Sequence, residues 1–126
     1  MRYLLLIYSD PKAYADLSEE DGKRLMDDYW AFTDEIAKSG EMQGGEALQG
    51  TETATTVQRK AGDTLTTDGP FAETKEVLGG YYLVDVPDLE RAIEIAAKIP
   101  DAAVGNGRVE VRPVMEFSRD EGDGGS

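Results

Sequence analysis

The side chains able to do chemistry in this chain are carboxylates, phenols and a few cations, because its 126 residues include no His and no Cys. Asp68 stands first among them, ahead of Gly69, Pro70 and Phe71. A carboxylate in a partly buried cleft has a raised pKa and can move protons or ligate a hard cation. An Asp before Gly-Pro equally accepts amide hydrogen bonds and stabilises a turn. Glu46 follows Gly44-Gly45 and is the second catalytic candidate. Brought together, Glu46 and Asp68 would form two acids with separated pKa values, as acid–base chemistry requires. Lys75 sits between Glu73 and Glu76. Two carboxylates oppose the depressed pKa that a Schiff-base lysine needs. Lys75 therefore reads either as part of a solvated salt-bridge cluster or as an attractant for an anionic ligand group. Tyr8, Tyr81, Asp10 and Arg59 complete the candidate binding set, with Gly69, Pro70, Phe71, Glu73 and Lys75. Gly69 and Pro70 read as conformational, Phe71 as a packing anchor and Trp30 as core.

Composition closes several routes. Without Cys or His, thiolate catalysis, Cys-ligated zinc, iron–sulfur clusters and a Ser-His-Asp triad within the chain are excluded. The sequence calls for no cofactor and no metal. The formal net charge is −13, which repels phosphate backbones and argues against direct nucleic-acid binding. No window approaches 18 apolar residues, so no membrane-spanning helix is expected. The apolar run after Met1 is too short for a secretory signal and is followed at once by Asp10-Pro11-Lys12. A cytoplasmic protein is expected.

The positioning elements follow from periodicity. Tyr3 to Tyr8 is a continuous apolar run closed by Ser9-Asp10-Pro11, as in a central strand covered on both faces. Ser18 to Ser39 predicts a helix capped by Ser18, with Leu25, Met26, Tyr29, Trp30, Thr33, Ile36 and Ala37 on one face. Strands are expected over Glu41–Leu48, Thr53–Lys60, Thr64–Thr67 and Val77–Val86, with Ala61-Gly62-Asp63 as a hairpin turn. A second helix opens at Asp88 and ends at Pro100, and Arg108–Phe117 is the last strand, with Pro113 marking an edge or an end. Residues 1–117 form one domain, and 118–126 read as a flexible acidic, Gly-rich tail. The order β-α-β(ββ)β-α-β gives an α+β fold with a mainly antiparallel sheet and two helices on one face. The other face is also apolar along the first strand. A second copy packed sheet against sheet would cover it, as would the chain's own extra hairpin.

The stretch Asp68-Gly69-Pro70-Phe71-Ala72-Glu73-Thr74-Lys75-Glu76 matches the motif for which the bacterial DGPFAETKE family is named, a branch of the YCII-related proteins. Tyr3–Tyr8, Gly44–Leu48, Gly79–Leu83 and Glu110–Phe117 resemble that family too, so the likeness spans roughly residues 1–117. It implies a ferredoxin-like fold and a homodimer of dimeric α+β barrel type. It also implies a small-molecule cleft near the dimer interface, to which the motif loop contributes. It implies no known reaction. Many relatives carry a His-Asp pair, which this His-free chain lacks. Relatives also occur beside sigma factors, which makes a regulatory interaction module the alternative to a binding or cofactor-free enzyme-like protein. A scaffold without a ligand is the third reading.

Overall fold

The computed structural model describes residues 1–102 and 107–117. The expected flexible tail lies outside the described residues. The first strand, β1 (Arg2–Ser9), alternates strictly. Tyr3, Leu5, Ile7 and Ser9 are buried, while Leu4, Leu6 and Tyr8 are half-buried on the other face. Asp10 then caps a short helix not foreseen in the sequence, α1 (Pro11–Ala15), by accepting a hydrogen bond from the Lys12 amide at 2.9 Å. Pro11 at its first position costs nothing, because that amide has no helical partner.

The long helix α2 (Glu19–Lys38) is capped as expected. Ser18 Oγ accepts from the Asp21 amide at 3.0 Å, three acidic residues occupy the positive first turn, and Lys38 sits in the last. Gly40, at φ 81°, turns the chain into β2 (Met42–Ala47). Next come β3 (Thr55–Lys60), β4 (Asp63–Asp68), β5 (Val77–Asp85), α3 (Leu89–Ala97) and the last strand, β6 (Arg108–Pro113). Single 3-10 turns lie at Thr51–Thr53 and Pro100–Ala102.

Four strands form an antiparallel sheet in the order β2-β5-β1-β6. This is the ferredoxin-like arrangement, with β3 and β4 inserted between β2 and β5. Pro113 ends the edge strand β6, where a missing amide is tolerated. The core lies between the sheet and α2 and α3, around the fully buried Leu5, Ile36, Val84, Ile95 and Ile99. Phe32 joins it, packed edge-on against Tyr82 with ring centroids 5.1 Å apart.

Two expectations from the sequence need correction. Trp30 is not core: it is 62% exposed, and of the expected stripe only Ile36 is fully buried, with Phe32 buried beside it. Phe71 is not a packing anchor within this chain, because it stands 92% exposed.

The inserted strands pair only with each other, as a two-stranded sheet turned by Ala61 (φ 52°) and Gly62 (φ 86°). Two consecutive left-handed residues are the tight hairpin turn whose twist matches the strands. Nearly every residue of this hairpin is exposed, Val57 and Leu65 included. It therefore buries nothing against the main sheet. The alternative in which the hairpin covers the open face fails for that reason. Leu4 and Leu6, aligned with Leu83 and Tyr81, form a half-buried apolar strip on that face, with no helix over it among the described residues.

The start of β2 is tied to α3 by Glu41, which accepts from Arg91 Nε at 2.7 Å and Nη2 at 2.8 Å. These paired hydrogen bonds hold the Glu41 carboxyl down to about 2, from an ordinary 4.5. A depressed carboxyl stabilises the fold above its unfolded pKa and loses that contribution as pH falls towards the folded value. Wild-type protein should thus lose stability between about pH 4.5 and 2, and Glu41→Gln should lose less over that window. Urea midpoints measured across acid pH check this.

Among the described residues, no helix is long and apolar enough to cross a membrane.

Candidate functional site

Leu25, Met26, Tyr29, Trp30 and Thr33, on one side of α2, form one wall of a cavity of about 810 Å³, within the range of small-molecule pockets. Helical spacing dictates this division. The residues from Gly22 to Thr33 on that side look into the cavity, and the turns carrying Phe32 and Ile36 look into the core.

The floor is kept low by glycine. A Cβ on Gly45 would come within 2.9 Å of the Tyr81 carbonyl and the Tyr82 ring. One on Gly80 would meet the Glu46 carbonyl at 2.8 Å. Side chains are therefore excluded where β2 and β5 run beneath the helix. Tyr82 rises from this floor, and its hydroxyl shares a 2.8 Å hydrogen bond with Thr33 Oγ1.

One end of the cavity is polar. Asp101, in the turn after α3, is only 4% exposed. Both of its oxygens accept hydrogen bonds from phenols, Oδ1 from Tyr14 of α1 and Oδ2 from Tyr29 of α2, the latter at 2.5 Å. Burial, and then the bond to Asp101, push both phenols above their ordinary pKa of 10. They remain neutral donors at physiological pH. No Lys or Arg pairs with Asp101 among the described residues. The arrangement offers a buried carboxylate, neutral hydroxyl donors and aromatic walls.

The residues singled out in the sequence are dispersed. Asp68 ends β4 opposite Thr55 and is exposed. Glu46 pairs with Tyr81 across β2 and β5, in a different sheet, and no hydrogen bond joins it to Asp68. Strand alternation puts the Glu46 and Tyr81 side chains opposite Gly45 and Tyr82, on the face away from the helices. Their residues reach the cavity only along its sheet edge. Asp10 serves as the α1 cap, and Arg59 Nη2 donates to the Gly62 carbonyl in the hairpin turn at 3.3 Å.

Gly69, at φ 101°, fixes the start of the motif loop. Its amide donates to the Ala54 carbonyl at 2.7 Å, and its carbonyl accepts from Thr56 Oγ1 at 2.9 Å. Glu73 and Lys75 are exposed, and no ion pair links Lys75 to Glu73 or Glu76. Tyr8 and Pro70 meet at a smaller hollow of about 420 Å³. It adjoins the main cavity through Leu48–Thr51 and Val77–Leu78. Among the described residues, no cluster of three metal-ligating side chains is present.

The sequence reading missed Tyr14, Tyr29 and Asp101 as a group. Asp101, an acid set among Ile99, Pro100 and Ala102, was the available signal. A carboxylate in an apolar stretch needs partners, and its partners lie 87 and 72 residues away.

Fold and site thus define a small α+β protein with a ferredoxin-like sheet and a glycine-floored cavity beneath its longest helix. A family model described as the YCII-related domain matches residues 1–118. The chain is also similar to an uncharacterized protein of Rhizobium meliloti (strain 1021), 36% identical over 121 residues, covering 96% of this chain and 98% of the relative. The chain belongs to the YCII-related family.

Proposed function

We propose that this protein binds a small, largely apolar molecule in the cavity beneath α2, with Asp101, Tyr14 and Tyr29 fixing its polar end. The single observation that carries this reading is the nearly fully buried Asp101 carboxylate, held by two phenols at the end of an apolar cavity. A few convergent polar groups in an otherwise apolar hollow are what small-molecule sites use for orientation. The reading is one of binding rather than of a defined reaction. Asp68 and Glu46 lie in separate sheets, so a shared acid–base role for them gains no support from their placement. The hollow beside Pro70 gives the motif loop a place at the edge of the site.

We further propose a cytoplasmic homodimer. The support is the half-buried apolar strip of Leu4, Leu6, Tyr81 and Leu83 on the sheet face away from the helices, which no helix among the described residues covers.

The only Trp, Trp30, stands at the cavity wall and reports on occupancy. A ligand present at 100 times its Kd adds about 2.7 kcal/mol to stability, an increment visible as a raised Tm. Gly22 supplies the control, because it lines the cavity and an added Cβ there meets nothing within 4 Å. Gly22→Leu should stabilise the helix by up to about 1 kcal/mol. It should also weaken any cavity ligand roughly tenfold, by occupying the space that ligand needs. Hits from a thermal-shift screen that change Trp30 emission and weaken in Gly22→Leu support the reading. Hits indifferent to Gly22→Leu, or a blank screen, count against it.

A further inference from the structure

We infer that the ligand class of this cavity is an organic cation, an amine carried on an apolar or aromatic body, seated with its ammonium against Asp101 among aromatic rings. The inference rests on the binding reading above and names the charge of the occupant. Three observations carry it. The charged side chains along the cavity are Asp101 and Glu52, with Glu46 reaching it only along the sheet edge, and among the described residues neither Lys nor Arg lines it. Tyr14, Tyr29, Trp30 and Tyr82 supply the aromatic surface, and ring faces attract cations, most strongly when water is excluded. Asp101 is buried without a cationic partner among the described residues, with neutral phenols as its donors.

The last point decides the sign. Burying a carboxylate is costly unless a charge partner compensates. Two phenols occupy one lone pair on each oxygen, and an ionised carboxylate offers about four acceptor sites. An ammonium arriving from the cavity finds acceptor capacity left over. An anionic ligand would meet only like charge and would have to displace the phenols. The net charge of −13 extends the same bias over the whole surface.

The test compares three probes of one shape and different charge: phenethylammonium, 2-phenylethanol and 3-phenylpropionate. Binding to the full-length protein is read by Trp30 emission and by Tm. Phenethylammonium is expected to bind about tenfold tighter than the alcohol, and the carboxylate not measurably, in line with the charge discrimination of complementary sites. Asp101→Asn should bring the amine to the level of the alcohol without changing the alcohol. Because that variant also loosens the fold, Glu52→Gln, at an exposed position, provides a second reading and should weaken the amine alone by about twofold. If alcohol and amine bind equally, or the carboxylate binds best, the cation inference is overturned and the cavity reading stands. If none of the three binds, the cavity reading falls, and the inference falls with it.

Discussion

Asp101→Ala is expected to lower the unfolding free energy by about 2–4 kcal/mol, and Tm by roughly 10 °C. Among the described residues, Asp101 alone fastens α1 and α2 to the turn after α3 through side-chain hydrogen bonds. A hydrogen bond to a charged group contributes about 1.5–3 kcal/mol net. Losing both would cost about 3–6 kcal/mol, and relief of the buried carboxylate's desolvation offsets part of this. Asp101→Asn retains an acceptor and should cost about half as much. A double-mutant cycle with Tyr29→Phe separates the pair from its surroundings, and a coupling above about 1 kcal/mol is expected. Urea unfolding in which Asp101→Ala matches wild type would show that the cluster does not organise the cavity end.

Leu6→Glu is expected to convert a dimer into a monomer while leaving the protomer folded. Leu6 lies mid-strand on the open face, between Tyr81 of β5 and Glu110 of β6. Within one chain it is half-buried, so the substitution should cost the protomer on the order of 1 kcal/mol. In a sheet-to-sheet dimer the same carboxylate would be buried unpaired, at several kcal/mol per protomer. A specific dimer needs about 800 Å² buried per partner, and the open sheet face carries Leu4, Leu6, Tyr81 and Leu83 along its two central strands. Light scattering at micromolar concentration checks both proteins. A wild type already monomeric, or a variant as dimeric as wild type, would place the contact elsewhere or nowhere.

Much of the fold was legible in the sequence because it rests on local rules. Ser18 and Gly40 bound α2 by capping chemistry that acts within four residues. Gly62 marks the hairpin turn by its backbone preference, with Ala61 carried into the left-handed region beside it. The two apolar faces of β1 follow from alternation.

The site was less legible. Helical spacing shows that Leu25, Tyr29 and Trp30 share a side, yet it cannot show whether that side meets a sheet or a void. The void depends on the close approach of Gly45 and Gly80 to neighbouring strands, a tertiary fact. Asp101 acquires meaning only when distant Tyr14 and Tyr29 close on it. The motif loop drew attention because its text is distinctive. In the structure it anchors the hairpin base through Gly69 and presents Phe71 to solvent.

The most direct test of the central claim is a map of backbone amide shifts as phenethylammonium and 2-phenylethanol are titrated into the labelled protein. Occupancy of the cavity predicts perturbations clustered at Leu25 to Thr33, at Gly45 to Glu52 and at Asp101, with the hairpin of β3 and β4 unmoved. Perturbations confined to residues 68–76, or to Leu4, Leu6 and Leu83 on the open face, would contradict it.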